Sequence, residues 1–379
     1  MRAAVLFAVV SVARLAHAHG SSGAHESPAW CGDHVAMVAD GGVVVDATRV
    51  AVPVGQALIA WSPTCDRIAV VGEAAFVIDA VTHARADLGA LPGGFDRAYR
   101  LGGPAPSVRW AADGSAFAAV GVNRTINDMG LVRWELAKGT SAAFAVSGEI
   151  KAFALVASDT AAVVVRAPRD AEASLLRVQL GAPTKRLGTG YKDARFSVAP
   201  IVAGAMKTSG ALVVVDLATG GESVLAPAID YLQAMSSDGT RALALVGGRP
   251  SAIDKSGVVP FDGALTYGAI ADEHTGWSVD GRLTITRGDP GSAWVVSALG
   301  AKARPWRGLP KGTVEHVTVA ADGKRVAFVL ELGEPRAKGL RPCEFESNTR
   351  AELWTANIAA TSRAKRLAVI AHLHSCGVE

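Results

Sequence analysis

"VRWAADGSAFAAVG", residues 108–121, is an apolar stretch, an Asp-Gly pair and a second apolar stretch. Short apolar runs on either side of a pair that tolerates positive φ predict two antiparallel strands joined by a two-residue hairpin turn. The figure recurs in "MSSDGTRALALVG" (235–247), "WSVDGRLTITRG" (277–288) and "VAADGKRVAFVLE" (319–331). Their turn aspartates Asp238, Asp280 and Asp322 are 42 and 42 residues apart. "WSPTCDRIAVVG" (61–72) and "VASDTAAVVVR" (156–166) hold the same place with weaker turn chemistry. "SVAPIVAGAM" (197–206) fills the gap between Asp159 and Asp238 with no Asp-Gly.

A second marker follows each hairpin, a short apolar strand ending in a polar residue. The polar positions are Asp46, Asp79, Glu135, Gln179, Asp216, Asp254, Ser297 and Asn357. From Asp46 to Asn357 is 311 residues in seven steps, about 44 each, the length of a four-stranded propeller blade. Runs of Val, Ile, Ala and Phe bounded by Gly, Asp and Ser read as strands buried on both faces. A sheet apolar on both faces must stack on its neighbours, and radial stacking leaves only short protected edges. The fold expected is therefore an all-β propeller of four-stranded antiparallel blades, eight in number, with seven as the alternative. Trp61, Trp110 and Trp277 precede the first turn of their units, where a large ring can wedge between adjacent blades.

"WSPTCDRIA" (61–69) and "AADGKRVAF" (320–328) resemble the Tol-B-type, WD-like propeller repeat of bacterial periplasmic proteins. The resemblance spans nearly the whole chain and implies a fold. Its motif residues are structural, so it implies no catalytic residue. Units four and five depart from the pattern where Asp-Gly is eroded.

The chain has 379 residues, is 50% hydrophobic and carries a formal charge of +3. With no Lys/Arg block, nucleic acid is not an expected partner. Arg2, an eleven-residue apolar stretch (3–13) too short to cross a bilayer, and the small residues Ala16 and Ala18 read as a signal peptide over 1–18. Residues 19–30 read as a flexible tail and 31–379 as one propeller domain. The expectation is an exported monomer, periplasmic or extracellular, with no membrane span. Cys31, Cys65, Cys343 and Cys376 then point to disulfides. Two connectivities are open. Cys31–Cys65 with Cys343–Cys376 uses all four thiols. Cys31–Cys376 would follow if "IAHLHSC" (370–376) supplies the innermost strand that the first unit lacks, closing the ring from the other terminus.

In a propeller, connections between the fourth strand and the next first strand emerge on one face with those between second and third strands. The short turns occupy the other face, expected to be closed and plain. Three long insertions fall on the first face: 91–107, 123–130 and 332–350. They carry the candidate binding residues Arg97, Tyr99, Arg100, Arg124, Asn127, Asp128, Arg336, Arg341 and Glu344. Mixed charge with an aromatic suits a protein, peptide or glycan partner. No nucleophile-elbow, zincin, phosphate-loop or dinucleotide motif occurs, and no cofactor is indicated. The function read from these residues is non-catalytic binding or scaffolding. One rival is a propeller hydrolase or lyase using Asp96, Asp128 and Glu344 as paired carboxylates. Another is a metal site of the terminal histidines, His19, His25 and His34 with His372 and His374, although no metal ligand set is assigned.

Overall fold

The structure, a computed structural model, describes residues 28–53, 57–101, 106–126, 128–167, 169–197, 202–236, 238–262, 276–278, 282–287, 294–333 and 345–377. Among them, strands fall into seven antiparallel sheets, A to G in chain order. Sheet A holds β1 (Ala29–Cys31), β2 (His34–Ala39), β3 (Gly42–Val45) and β4 (Thr48–Ala51). Sheet B holds β5 (Leu58–Trp61), β6 (Arg67–Val71), β7 (Ala74–Asp79) and β8 (Arg85–Ala90). Sheet C begins with the short β9 (Arg97–Ala98), then β10 (Val108–Trp110), β11 (Ala116–Asn123), β12 (Asp128–Glu135) and β13 (Thr140–Phe144). Sheet D has seven strands, of which the first four are β14 (Glu149–Ala157), β15 (Thr160–Arg166), β16 (Ala173–Gln179) and β17 (Lys185–Phe196). It continues as β18 (Val202–Lys207), β19 (Leu212–Asp216) and β20 (Glu222–Ala226). Sheet E is β21 (Tyr231–Met235), β22 (Ala242–Val246), β23 (Arg249–Asp254) and β24 (Gly257–Pro260). Sheet F is β25 (Gly276–Trp277), β26 (Leu283–Arg287), β27 (Trp294–Ala298) and β28 (Arg304–Pro305). Sheet G is β29 (Thr313–Val319), β30 (Arg325–Gly333), β31 (Phe345–Asn357) and β32 (Ala360–Gly377).

Within each sheet the order follows the chain, so every unit is a meander. Sheet D is two meanders sharing one strand. The part of β17 from Lys185 to Tyr191 pairs with β16, and the part from Tyr191 onward pairs with β18, so Tyr191 belongs to both ladders.

Buried side chains explain why the sheets close into a ring. Second and third strands are buried along their length, while fourth strands such as β8 and β24 are mostly exposed. Both faces of the inner strands must therefore meet another sheet. Ile68, Val70 and Phe76 of sheet B pack on Val43 and Val45 of sheet A. Their neighbours Ala69 and Val77 pack on Phe117 and Trp134 of sheet C. The same joint recurs from C to D, D to E, E to F and F to G. Val35 and Met37 of sheet A then meet Ala327, Val329 and Ile370 of sheet G. The chain closes on itself as an all-β propeller, with first strands innermost.

Three sequence expectations are corrected here. The first unit makes its own innermost strand, β1, paired with β2, and the C-terminal segment lies on β31 as the fourth strand of its own sheet. A disulfide joins Cys31 to Cys65, which removes the Cys31–Cys376 alternative. Cys343 and the side chain of Cys376 lie outside the described residues. Finally, the Asp-Gly turns are longer than two residues. Ala111 N–H donates to Ala116 O at 2.9 Å and Gly114 N–H to Ala111 O at 2.9 Å, closing a four-residue loop around residues 112–115. Gly114 alone takes the positive φ, 68°, and the Asp113 carboxylate caps the Ser115 N–H at 3.0 Å.

The same logic explains the second marker. Asp79 Oδ1 accepts from the backbone of Val81 and Thr82 and from the Thr82 hydroxyl, at 2.7–3.0 Å. Asp216 does the same with Ala218 and Thr219. These hydrogen bonds, the Thr backbone N–H foremost, hold both carboxyls below the usual range. Asp79, Asp216 and Asp254 are turn caps, whereas Asp46 accepts from the Val35 N–H and from His34.

Trp61 and Trp110 do sit between sheets. Trp61 Nε1 donates to Ala29 O and Trp110 Nε1 to Ala60 O, each at 2.9 Å, and Trp30 joins them by donating to Thr318 O at 3.2 Å. The side chain of Trp277 lies outside the described residues.

Candidate functional site

On the face where the long connections emerge, sheet C projects as a hairpin. β11 and β12 run past their neighbours and pair to the tip, Asn123 opposite Asp128. Much of the insertion expected over 123–130 is thus strand. Asn123 Oδ1 caps the turn by accepting from Thr125 N at 3.0 Å and Ile126 N at 3.3 Å. Likewise, the 332–350 insertion is strand at both ends, as β30 reaches Gly333 and β31 starts at Phe345.

The connection from sheet B folds back onto this hairpin. Asp96 N–H donates to Val122 O at 3.0 Å, Tyr99 N–H to Val120 O at 2.7 Å, and Ala98 N–H crosses to Gly72 O of sheet B at 2.7 Å. The return is possible because Gly121 and Gly130 face each other across the two strands. A Cβ on Gly130 would lie 2.2 Å from Phe95 Cζ, and one on Gly121 2.9 Å from Phe95 Cβ. Two missing side chains make the seat for one aromatic ring. Asn123 Nδ2 then donates to Gly94 O at 2.9 Å, and Asp96 Oδ2 accepts from Arg124 N at 3.1 Å and Nε at 3.4 Å.

The result is a braced ridge. Tyr99 is 38% exposed on it and Ile126, at the tip, 68%. Arg97 lies on β9 opposite Val122, with its Nε buried and unpartnered. Arg100 follows, half-buried. Arg124 and Asp128 are exposed, and Asp128 Oδ1 accepts from the Met129 N–H at 3.0 Å. Asn127, Arg336, Arg341 and Glu344 lie outside the described residues. The structure thus brings together Arg97, Tyr99, Arg100, Arg124 and Asp128 on sheet C.

Beside the ridge runs a cleft of about 720 Å³ toward sheet D, lined by Asp128, Met129, Glu149, Arg166, Arg169 and Asp170. Glu149 bridges Lys151 and Arg166, the latter at 2.6 Å. Hydrogen bonds from Lys151 and then Arg166 outweigh burial and hold its carboxyl below the usual range. The cleft therefore presents both signs of charge beside exposed apolar groups, a surface suited to a polar chain with an occasional apolar anchor. Sequence reasoning named Asp128 but missed Ile126 and the cleft residues of sheet D. Two glycines symmetric about a hairpin turn were the available signal.

The opposite face is not plain, contrary to expectation. A cleft of about 880 Å³ lies there between sheets D and E, lined by Asp216, Asp238 and Asp254 with Val224, which is 70% exposed. Turn carboxylates line it because short turns cap themselves with aspartate. Arg241 pairs with Asp254 at 3.1 Å. Of the histidines considered as ligands, His34 hydrogen-bonds Asp46 through Nδ1 at 2.8 Å and stacks on Trp61. His19, His25 and the side chains of His372 and His374 lie outside the described residues. Of the rival carboxylates, Asp96 is engaged by Arg124 and Asp128 by its own hairpin.

No protein-family model matches the chain. No curated protein matches it either. It is similar to the β-propeller domain of Cps50 (Swd1) from Myceliophteria thermophila, at 12% identity over 72% of this chain and 92% of that one, with TM-score 0.46. A second is an oligogalacturonate lyase in complex with manganese, at 14% identity, 70% and 85% coverage and TM-score 0.48. TolB from Acinetobacter baumannii is a third, at 16% identity, 72% and 61% coverage and TM-score 0.38. Likeness this remote carries no argument about activity, and the propeller assignment rests on the closed ring of meanders itself.

Proposed function

We propose that the chain is an exported, non-catalytic binding or scaffolding propeller of the cell envelope or extracellular space, recognising a protein, peptide or glycan partner at the sheet C ridge. The observation that carries this reading is the ridge itself, a hairpin braced by a return strand, a glycine-seated Phe95 and the Asp96–Arg124 pair. Such bracing fixes the exposed groups before a partner arrives, so little ordering free energy is spent on contact. Arg97, Tyr99, Arg100, Arg124 and Asp128 form the described part of the recognition surface; Asn127, Arg336, Arg341 and Glu344 are assigned to it from the sequence alone. The Cys31–Cys65 bridge suits an oxidising compartment, in keeping with a signal peptide over 1–18. We read the two meanders of sheet D as two blades, giving eight in a single domain, whose start moves from the expected residue 31 back to Ala29, because Ala29 and Trp30, expected in a flexible tail, belong to β1.

The test is affinity capture from an envelope extract with three forms of the processed chain. Wild type and Val224→Asp, altered on the opposite face, should retain the same partner. Ile126→Asp combined with Arg124→Glu should lose it. Retention by the ridge variant together with loss by Val224→Asp would move the function to the other face and end this reading.

A further inference from the structure

Among the described residues, the inner wall of the ring holds a positive charge with no carboxylate to balance it. Arg109 lies on β10 between Val108 and Trp110, both of which pack on sheet B. Strand alternation therefore turns Arg109 the other way, toward sheet D. There its Nη1 donates to Ser197 O at 3.1 Å, and the guanidinium stands 5.8 Å from the centre of the Phe196 ring. Its Nε is buried with no partner, and no carboxylate among the described residues pairs with it.

A second guanidinium stands close by. Arg195, 8% exposed on β17, donates to Gln233 O at 3.3 Å and Ala194 O at 2.9 Å and pairs with Asp193. Gln233 is also buried, and its Oε1 has no donor. Among the described residues two arginines here face one carboxylate, an excess of one positive charge. Loss of water around Arg109, with Arg195 adding repulsion, lowers its pKa to about 10. It stays protonated at neutral pH, and a cation stripped of water and left unmatched is costly.

We propose that this wall is a binding site for a carboxylate group of a ligand entering the central channel, seated on the Arg109 guanidinium beside Arg195 and Phe196. A guanidinium presents its N–H groups in a planar fork that matches a carboxylate, and a single negative charge cancels the excess. Phosphate, carrying more charge than the excess, is the poorer match. Arg109 and Ser197 each border a turn between first and second strands, so the site opens toward the face opposite the ridge. It is independent of the ridge reading.

The experiment is an acetate titration of the processed, 15N-labelled full chain, following the Arg109 Nε–H resonance, with phosphate and chloride as parallel arms. The expected result is a saturable response to acetate in the millimolar range, a weaker one to phosphate and none to chloride. Arg109→Gln should weaken acetate binding at least about tenfold, read from the remaining Arg195 resonance, while far-ultraviolet circular dichroism is unchanged. The wild-type arms decide the matter even if that variant fails to fold. Absence of a saturable acetate response, or an equal response to chloride, overturns the site. Tighter binding of phosphate overturns the carboxylate assignment.

Discussion

Two arcs of the ring are joined in different ways. From sheet G through A and B to C, neighbouring sheets are separate ladders, joined by single backbone hydrogen bonds such as Asp40 N–H to Ile370 O and Ala98 N–H to Gly72 O and clamped by side chains. At each joint a tryptophan on the first strand donates to a first-strand carbonyl of the preceding sheet: Trp30 to Thr318, Trp61 to Ala29, Trp110 to Ala60. The residue that opens the second strand of that preceding sheet lies over the indole: Arg325 on Trp30, His34 on Trp61, Arg67 on Trp110. Arg325 also reaches Asp33 at 2.9 Å and Gly32 O at 3.2 Å, and Cys31–Cys65 adds a covalent tie. In sheet D, by contrast, β17 runs unbroken from one meander into the next, and the backbone itself is the joint. The contrast teaches that a repeat fold can hold its ring with residue-specific clasps or with chain continuity. Mutation exposes the first kind far more than the second.

The largest effect expected is at the clamped arc. Trp110 is 8% exposed, packs at a tilt on Phe117, which stacks on Trp134, and spends its indole N–H on Ala60 O. Trp110→Ala should cost about 3–5 kcal/mol in urea unfolding, with the B–C joint opening first. A loss below about 1 kcal/mol would mean that the tryptophan clasps are ornaments on a ring held otherwise.

Next comes the disulfide. Its two cysteines are 34 residues apart, and replacing both by serine should cost about 2–4 kcal/mol. Hydrogen exchange sharpens the comparison, because β1 amides should lose protection while β17 amides keep theirs. Equal loss in both would show that the arcs unfold as one unit.

A smaller effect belongs to the ridge, which borrows from both schemes. Gly130→Ala places a Cβ where the Phe95 ring now sits, so the ring must leave. The cost should be about 1–3 kcal/mol. Cleavage by trypsin at Arg97 and Arg100 should accelerate while the rest of the ring resists. A crystal structure of the variant with Phe95 still in place would refute the notch.

The clamped arc was also the legible one. Trp61, Trp110 and the turns at Asp113 and Asp322 stand out because a repeat writes the same residue at the same offset. The first strand of sheet A was missed because Ala29–Cys31 is three residues long, with no alternation to read. The shared strand β17 was hidden for another reason: "KRLGTGYKDARF" carries glycines and charges that mimic a loop, and only pairing on both edges makes it a strand. Arg109 was invisible because its significance depends on Ser197 and Phe196, brought to it across the ring. Local pattern reveals joints within the repeat. It does not reveal what the ring encloses.

The smallest expected effect compares one turn from each arc under acid. Asp66, in the clamped arc, is held below the usual carboxylate range by the hydroxyls of Thr64 and Ser62. Asp238, at the matching turn of sheet E, is lowered further, to about 2, by the Ser236 hydroxyl and by the backbone and hydroxyl of Thr240. A carboxyl whose folded pKa is depressed contributes stability above its unfolded value, near pH 4, and loses it as pH falls toward the folded value. Urea midpoints should therefore decline between about pH 4 and pH 2. Asp238→Asn should flatten that decline, and Asp66→Asn should flatten it less. Turn carboxylates are capped locally in both arcs, so neither substitution should change the order in which the joints open. If Asp238→Asn altered that order, the turns would be coupled to the ring joints, and the division between clasped and continuous arcs would fail at its weakest point.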